Sequence, residues 1–470
     1  MENPHELAVA ALLERARVAQ REFETWSQER VDETVTAAGW AIVEPARNRA
    51  LAELSVRDTG MGDVADKIAK NRRKTIGLLR DLQGAASVGV ISDDRGRGLI
   101  EIARPVGVVA AITPSTNPGA TPANNILNAL KGRNAIILAP SPKGQSSLAL
   151  LLDFMYAELD RVGAPRDLVQ RLAPPTSREQ THALMRQADL VVATGSQSNV
   201  RAAYESGTPA IGVGAGNVTA IVDETADVPS AAAKIAKSKT FDNATSCSSE
   251  NAVIAVAAVY DALVAAFARE GGVMLDADET RRLEAALFAG GKLNPALIAQ
   301  PAPVIAAGAG LERPAVRAAR FLLVPESGVG FDHPFSGEKL SPVLALYRAD
   351  DFSAAAALAA RILRFQGAGH SIGLHTRASE RALELGLTLP VCRVIVNQVH
   401  CFATGGSFDN ALPFSLSMGC GTWGRNSISD NLNYRHFLNI TRVVHPLPPE
   451  AVREPTDAEL FGDYRAKHGV

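Results

Sequence analysis

The stretch Val106-Gly-Val-Val-Ala-Ala-Ile112 is an apolar run, and Thr113-Pro-Ser-Thr-Asn117-Pro-Gly119 follows it directly. An unbroken run of small and β-branched residues predicts a strand that is buried on both faces, as in a parallel sheet. A helix near Pro122 to Leu130 and a second apolar strand, Ala135-Ile-Ile-Leu138, come next. This βαβ alternation predicts an α/β fold, whose ligands bind beyond the carboxyl ends of its strands.

The same alternation continues along most of the chain. Further elements are predicted as a helix at 145–161 and strands at 190–193, 219–222, 252–257, 320–324, 343–347 and 393–397. Residues 5 to 80 instead carry apolar residues at helical spacing among many charges, which predicts amphipathic helices. We therefore expect N-terminal helices packed outside a first α/β unit, and a second α/β stretch from about residue 230 to 405.

Composition narrows the class of protein. The 470 residues, 46% of them hydrophobic, describe a globular protein of two or three domains. With 48 Lys and Arg against 50 Asp and Glu, no global field attracts nucleic acid or an anionic membrane. The chain start lacks the pattern of a secretory signal, and the four cysteines form no disulfide-type framework, so a cytoplasmic location is expected. Function must therefore be sought in local sites.

Cys247 is the first candidate site residue. It lies in Phe241-Asp-Asn-Ala-Thr-Ser-Cys-Ser-Ser-Glu-Asn251, between small polar residues. Such a position suits a thiolate at the end of an element, where backbone N–H groups stabilise it. The alternative is a buried structural thiol, and the residues alone leave both interpretations open.

Asn117 is the second candidate, because it follows the first predicted strand directly. A carboxamide at that position can donate its N–H to an oxyanion that forms above a nucleophile. The alternative is ordinary turn chemistry, since Asn and Pro are common in loops for backbone reasons.

Several standard motifs are absent or out of context. Gly419-Cys-Gly-Thr-Trp-Gly424 matches G-x-G-x-x-G, but no predicted strand leads into it and residues 439–446 contain no acidic residue to bind a ribose. We therefore predict a close-packed loop there. No Walker A, G-x-S-x-G or H-E-x-x-H sequence occurs, and the nine histidines lack metal-ligand spacing, so no metal site is predicted.

One basic cluster stands out in the N-terminal region. It contains Lys67, Lys70, Arg72, Arg73 and Lys74. Because Asp63 and Asp66 lie beside it, we expect a solvated helix face and assign it no functional role.

Taken together, these segments resemble the aldehyde dehydrogenase superfamily, and within it the coenzyme A-acylating branch, over essentially the whole chain. The segments that carry the resemblance, in the family's order, are 104–118, 130–142, 193–196, Cys247, 338–343 and 419–427. The resemblance implies the aldehyde dehydrogenase fold in three parts. These are N-terminal helices with a Rossmann-like NAD(P)-binding domain at 1–228, a catalytic domain at 229–405, and a C-terminal return segment with an oligomerisation strand at 406–470.

The resemblance also implies roles for individual residues. Cys247 corresponds to the nucleophile, and Asn117 corresponds to the oxyanion donor, together with a backbone N–H at Cys247. Glu338 corresponds to the carboxylate that holds the nicotinamide ribose. The remaining residues implied for the NAD or NADP site are Thr113, Pro114, Ser115, Ser141, Lys143, Thr194, Gly195, Ser196 and Gly214. Among them, 194–196 would lie at a helix N-terminus by the cofactor phosphates, and Lys143 could accept a 2′-phosphate.

Two departures from the hydrolytic members of the family bear on the reaction. Those members carry a lysine before the proline of the ribose segment, where this chain has Ala139. They also carry a glutamate, upstream of the cysteine, that activates water, and here Gly212 or Val213 occupies that place. Without a general base, water is a poor nucleophile toward a thioester, whereas a thiol needs less help. The sequence therefore predicts acyl transfer to coenzyme A. The glycines of 210–217 could also admit a large second substrate, or form a plain tight turn.

The segments 241–251 and 405–421 resemble the acylating sulfoacetaldehyde dehydrogenases more closely, which makes sulfoacetaldehyde the expected aldehyde. A sulfonate needs a cation or a cluster of N–H donors. The candidates we name for that role are His400, Arg425, Arg435 and His436. Alternatives are an acylating acetaldehyde or propionaldehyde dehydrogenase, a hydrolytic semialdehyde dehydrogenase, and a non-catalytic relative docked to a protein shell.

The resemblance also bears on assembly. It implies a homodimer or homotetramer, with interface candidates near residues 95–102 and 441–445. The expected ligands are an aldehyde, coenzyme A and NAD or NADP, with no metal, nucleic acid or membrane partner.

Overall fold

A computed structural model describes residues 4–470 of the protein. Its α-helices are α1 Pro4–Glu24, α2 Gln28–Val43, α3 Pro45–Thr59, α4 Val64–Leu82, α5 Ala120–Lys131, α6 Gln145–Arg161, α7 Arg178–Gln187, α8 Gln197–Glu205, α9 Val228–Thr240, α10 Ala257–Arg269, α11 Ala277–Leu287, α12 Ala302–Gly308, α13 Pro314–Arg317, α14 Phe352–Phe365, α15 Glu380–Thr388, α16 His400–Ala403 and α17 Asp457–His468. Its strands are β1 Gly89–Asp94, β2 Leu99–Pro105, β3 Val108–Thr113, β4 Ala135–Pro140, β5 Val169–Arg171, β6 Leu190–Thr194, β7 Ala210–Val213, β8 Val218–Val222, β9 Glu250–Val256, β10 Gly272–Met274, β11 Phe321–Pro325, β12 Val343–Ala349, β13 Ile372–His375, β14 Val394–Val396 and β15 Leu438–Val444.

The first sheet contains five parallel strands in the order β5-β4-β3-β6-β7. Every residue of β3 and of β4 is buried. Helices α1, α2, α5, α6 and α7 supply the apolar faces that cover these strands, and Phe23, Leu127 and Leu151 are fully enclosed among them. The prediction of a strand buried on both faces is therefore confirmed.

The second sheet contains seven parallel strands in the order β10-β11-β12-β9-β8-β13-β14. Its central strand, β9, is buried at all positions. Strand β8 had been placed in the first unit, but it pairs with β9 and β13. The division between the two sheets therefore falls between Val213 and Val218, whereas the domain boundary at residue 228 stays a prediction.

A small antiparallel sheet of β1, β2 and β15 stands apart from the two parallel sheets. Leu438 to Val444 pairs along the whole of β2, so the two predicted interface segments lie side by side in it. Val443 and Val444 on this sheet are exposed. The prediction that this region joins subunits of a homodimer or homotetramer stays a prediction.

The α/β pattern was predicted well where it depended on long apolar runs. Short strands such as β5, β7, β10 and β13 were not predicted, because three or four residues carry too little periodicity. Among the helices of residues 4–470, none combines the length and the apolarity that a membrane crossing requires.

Candidate active site

A cavity of about 500 Å³ opens where loops from both parallel sheets meet. Its wall contains segments that follow β3, β6 and β7, together with the loop before β9. The predicted site residues found in this wall are Cys247, Asn117, Thr113, Pro114, Ser115, Ser141, Thr194, Gly195, Ser196, Gly214 and Glu338. The carboxyl ends of the first sheet's strands supply most of these residues, as expected for an α/β fold, whereas Cys247 and Glu338 precede β9 and β12 of the second sheet.

Five predicted contacts lie outside the cavity wall: Lys143, His400, Arg425, Arg435 and His436. Lys143 is exposed in the turn after β4, and Arg425 and Arg435 are exposed in the C-terminal loops. His436 lies 3.7 Å from Asp430, and His400 is buried beneath the site. The structure thus does not bring any of the four proposed sulfonate ligands into the cavity wall.

The loop that presents Cys247 has an unusual backbone. Asp242, Asn243 and Ala244 have φ values of 50°, 50° and 59°, in the left-handed region that non-glycine residues rarely adopt. The start of α4 holds this turn, since the Asp242 N–H donates to Asp66 Oδ2 at 2.7 Å and Asn243 Nδ2 donates to the Gly62 carbonyl at 3.1 Å. Packing against α4 thus fixes the approach of the cysteine to the cavity.

The surroundings of Cys247 favour the thiol over the thiolate while no ligand is bound. Enclosure by the cavity walls raises the pKa of its sulfur to about 12, and the nearby Glu338 carboxylate adds to the shift. His370 Nε2 lies 3.4 Å from Cys247 Sγ. Burial lowers the pKa of His370 to about 3, so its imidazole is neutral at pH 7 and, before ligands bind, is a weak base beside the thiol.

Two further side chains continue from His370 into the core. His370 Nδ1 lies 2.8 Å from Ser371 Oγ, and Ser371 Oγ lies 2.9 Å from His400 Nε2. When Nδ1 donates to the serine, Nε2 is left as the acceptor that faces the sulfur. His370 is not among the predicted site residues, since a lone histidine beside a strand carries no signal of its own.

The basic cluster of α4 is the clearest correction. Lys67, Lys70 and Lys74 are only 4%, 6% and 7% exposed, so they form a buried face and not a solvated one. Lys67 and Lys70 share the carboxylate of Asp242, which is fully buried. The prediction was wrong because it weighed the nearby acids Asp63 and Asp66, while the neutralising carboxylate comes from a segment distant in the sequence.

Lys70 also fixes the orientation of Asn117. Its ammonium donates to Asn117 Oδ1 at 2.8 Å and to Thr245 Oγ1 at 2.9 Å. An ammonium can only donate, so it selects the carboxamide oxygen and leaves Nδ2 as the free donor end. Asn117 lies in the cavity wall with Cys247, which places an N–H donor near the nucleophile.

Comparison with known proteins identifies the family. A model described as the aldehyde dehydrogenase family matches residues 3–273. The chain is also 61% identical over 462 residues to the acylating sulfoacetaldehyde dehydrogenase of Cupriavidus necator, covering 98% of this chain and 93% of the relative. The chain belongs to the aldehyde dehydrogenase family.

Other relatives agree with this result. The acylating sulfoacetaldehyde dehydrogenase of Bilophila wadsworthia is 44% identical over 466 residues, covering 98% of this chain and 99% of the relative. Among solved structures, an acetylating aldehyde dehydrogenase from Geobacillus thermoglucosidasius superposes with a TM-score of 0.91. That structure is 35% identical and covers 96% of this chain and 98% of its own. The predicted fold and family are therefore confirmed.

Within this aldehyde dehydrogenase, the segment that resembles the hydrolytic glutamate motif contains no acid. Gly212 and Val213 end β7, and Val213 lies in the cavity wall. A Cβ on Gly216 would lie 2.0 Å from the Cys247 carbonyl oxygen, so this glycine is required for close approach of the protein's own backbone. The glycine-rich segment therefore packs against the nucleophile loop. This packing alone requires a glycine at position 216, whether or not the segment also admits a large second substrate.

Glu338 is the only carboxylate in the cavity wall among the residues described. Burial raises its pKa to about 8, although Lys239, Lys339 and a backbone N–H at Gly216 oppose the shift. Lys239 and Lys339 are themselves fully buried beside it. Ligand hydroxyl groups in the cavity would favour its ionised form by donating to it.

The cavity residues fit a dinucleotide. The Ser141 hydroxyl is buried without a hydrogen-bond partner, which leaves it available to a ligand. Ser196 caps α8, whose first N–H groups and helix dipole favour an anion such as a phosphate. The loop 419–424, in contrast, packs tightly, since a Cβ on Gly424 would meet the Cys420 side chain at 2.3 Å. The rejection of that loop as a Rossmann fingerprint is consistent with this packing.

Proposed function

We propose that this aldehyde dehydrogenase oxidises sulfoacetaldehyde with NAD(P)+ and coenzyme A, and releases the acyl-coenzyme A through a thioester on Cys247. The observation that carries the proposal is the make-up of the cavity wall, which joins Cys247 and Asn117 but, within residues 4–470, holds no carboxylate other than Glu338. The 61% identity to an acylating sulfoacetaldehyde dehydrogenase supports the choice of aldehyde.

The first chemical step forms a bond between Cys247 Sγ and the aldehyde carbon. Because the free thiol has a pKa of about 12, its proton must leave as the sulfur attacks. His370 Nε2, 3.4 Å away, accepts that proton. Asn117 Nδ2 and the backbone N–H of Cys247 donate to the oxygen as it becomes an oxyanion.

The dinucleotide is held by the residues that fit it. Ser141 and the N-terminus of α8 at Ser196 would bind its ribose and phosphates, and Glu338 would bind the nicotinamide ribose. When bound, NAD(P)+ supplies a hydride acceptor. We propose Lys143 only as a solvent-exposed contact for a 2′-phosphate, because it lies outside the cavity wall.

Acyl transfer then requires a thiol in preference to water. Once the first proton has passed from His370 to solvent, the neutral imidazole accepts the proton of the coenzyme A thiol as that sulfur attacks the thioester, and the same oxyanion donors act again. The bond between Cys247 Sγ and the acyl carbon then breaks, and His370 returns the proton to the leaving sulfur. Water is less acidic and less nucleophilic than a thiol, and the wall offers no carboxylate at 212 or 213 to activate it. The thioester therefore survives until coenzyme A arrives.

An aldehyde panel tests the proposal. Sulfoacetaldehyde, acetaldehyde, propionaldehyde and succinate semialdehyde are each assayed with and without coenzyme A, using NAD+ and NADP+ separately. We expect coenzyme A-dependent reduction of the nucleotide, the highest kcat/KM with sulfoacetaldehyde, and no turnover by Cys247→Ala. Steady reduction without coenzyme A, with release of the free carboxylate, would contradict the acylating reaction.

We also propose that the β1-β2-β15 sheet joins subunits of a homo-oligomer. The exposed valines of β15 offer an apolar edge that a second copy could cover. Light scattering should give a dimer or tetramer for the native protein, and a Val444→Lys variant should shift it toward monomer. A monomeric native protein would exclude this assembly.

A further inference from the structure

Lys74 is the one cationic side chain in the cavity wall among the residues described. It lies on α4, one turn beyond Lys70, and is only 7% exposed. Its ammonium donates to the carbonyl oxygen of Gly405 at 2.6 Å and more weakly to that of Gly406 at 3.4 Å. Lys74 thus reaches the cavity from the same helix face that orients Asn117.

The charge of Lys74 is not neutralised by the protein. Lys67 and Lys70 share the Asp242 carboxylate, but no acidic side chain within residues 4–470 forms an ion pair with Lys74. A buried ammonium without a counter-ion is costly, since carbonyl oxygens replace only part of its hydration. The position of this charge therefore indicates that an anionic group completes the site when ligand binds.

A second buried group points to the same place. Thr121 is 1% exposed, lies in the cavity wall one turn into α5 from Asn117, and its hydroxyl has no hydrogen-bond partner. The hydroxyl of Thr121 can donate a hydrogen bond to an anionic oxygen. Such a bond would remove the free-energy cost of burying the hydroxyl without a partner. Lys74 and Thr121 thus offer one charged and one neutral donor in the cavity that contains Cys247.

Building on the proposed function, we propose that Lys74, assisted by Thr121, binds the sulfonate of the aldehyde substrate. Residues four apart on a helix have Cβ atoms about 5–6 Å apart, so Lys74 lies one such step from the lysine that holds Asn117. In sulfoacetaldehyde a single methylene separates the carbonyl from the sulfonate. Asn117 and Lys74 both lie in the wall of the cavity that contains Cys247, so the carbonyl would lie at Asn117 and the sulfonate at Lys74.

The burial of Lys74 also limits the size of the anion. A phosphate of coenzyme A or of the dinucleotide carries bulky esters, whereas sulfoacetaldehyde has only two carbons and is small enough to bring its sulfonate to a side chain as buried as Lys74. Burial and the neighbouring Arg73 guanidinium lower the pKa of Lys74 to about 7, and a bound anion would favour the charged form. Cys401 and Met418 in the same part of the wall provide no competing charge.

The test compares sulfoacetaldehyde with propionaldehyde, which has a similar length and no charge. Lys74→Gln keeps a donor for the Gly405 carbonyl and removes the charge. We expect it to lower the ratio of kcat/KM for sulfoacetaldehyde over propionaldehyde by about 100-fold, as removal of one partner of a buried charged contact does. Thr121→Val should lower the ratio several-fold, and Arg72→Met, an exposed charge on the same helix, should leave it within about twofold.

Isethionate, the alcohol that carries the same sulfonate, gives a readout independent of sulfoacetaldehyde turnover. It should inhibit propionaldehyde oxidation competitively in the native enzyme, and its inhibition constant should rise at least tenfold in Lys74→Gln. Equal losses with both aldehydes, or an unchanged ratio, would show that Lys74 only braces the Gly405 turn and would overturn the proposal. If the native enzyme oxidises propionaldehyde with coenzyme A but not sulfoacetaldehyde, the proposed substrate is wrong instead, and isethionate inhibition then decides whether the anion site stands.

Discussion

Replacing Lys70 with methionine should slow catalysis through an effect on Asn117. Lys70 contacts the carboxamide oxygen of Asn117, whereas the carboxamide nitrogen donates to the oxyanion. In the native protein the ammonium donates to Asn117 Oδ1 at 2.8 Å, so Nδ2 remains for the oxyanion. Methionine keeps an unbranched side chain, one atom shorter than that of lysine, and removes the donor. The carboxamide can then turn over and present its oxygen to the developing oxyanion, which repels it.

The size of the effect follows from the hydrogen bond that is lost. A hydrogen bond to a charged group contributes about 1.5–3 kcal/mol, and each 1.4 kcal/mol is a factor of ten in rate. We therefore expect kcat to fall by about 10- to 100-fold in Lys70→Met. Loss of the whole oxyanion donor in Asn117→Ala should cost about 3 kcal/mol or more, so that variant sets the lower limit of the rate.

The assay is a double-mutant cycle on kcat with saturating coenzyme A. If Lys70 acts through Asn117, the double variant Lys70→Met/Asn117→Ala should be no more than about threefold slower than Asn117→Ala alone, because no amide is left to orient. Arg72→Met serves as the control for loss of a positive charge on α4. Multiplicative losses in the double variant would refute the reasoning.

Stability must be followed in the same variants. Lys70→Met leaves Asp242 with Lys67 at 3.2 Å, the Thr245 hydroxyl at 2.6 Å and the Asp63 backbone N–H at 2.8 Å, so the buried carboxylate keeps three partners. We expect the variant to fold with a lowered melting temperature. A rate loss explained by partial unfolding would appear equally in Lys70→Met and in the double variant, whereas a loss through Asn117 disappears in the background that lacks the amide.

Three further predictions concern groups around the cavity. His370→Ala should lower kcat by about 100-fold or more at pH 7. The loss should be smaller at higher pH, because the Cys247 thiol then ionises without a base, and a pH–rate profile measures this. A loss that does not depend on pH would contradict the role of His370 as the base. The ratio of kcat/KM for sulfoacetaldehyde over propionaldehyde should fall as the pH rises above about 7, because Lys74 then loses its proton while the sulfonate stays charged; a flat ratio between pH 6 and 9 would contradict this. Burial raises the pKa of Glu338 to about 8, so the stability that its protonated form contributes is fully present below the unfolded pKa near 4.5 and is lost as the pH rises through 8. Glu338→Gln should therefore flatten the fall of the melting temperature across that pH range, and it should raise the KM for NAD(P)+. An unchanged pH dependence of the melting temperature would argue against this role.

The sequence predicted the parts of the site that lie at the ends of long apolar strands. Asn117 follows β3 and Thr194 ends β6, so parallel pairing alone brings them to one edge. Cys247 was found from its polar neighbours and from the family resemblance. His370 could not be found in this way, because its role depends on a 3.4 Å contact across two loops that no local pattern encodes.

The three lysines of α4 show why charge patterns are hard to interpret from sequence. Their spacing of three and four residues puts them on one helix face, and a charged face on an N-terminal helix ordinarily faces water. Here the face packs against the loop that contains Asp242, and this one buried carboxylate forms ion pairs with only two of the three lysines. Lys67 and Lys70 take that carboxylate, and Lys70 also holds Asn117, while Lys74 is left with backbone carbonyls in the cavity wall. One helix outside the two sheets therefore supports the nucleophile loop, orients the oxyanion donor and leaves a charge in the cavity for the substrate. Substitutions on this face should consequently alter catalysis and specificity before they alter the fold.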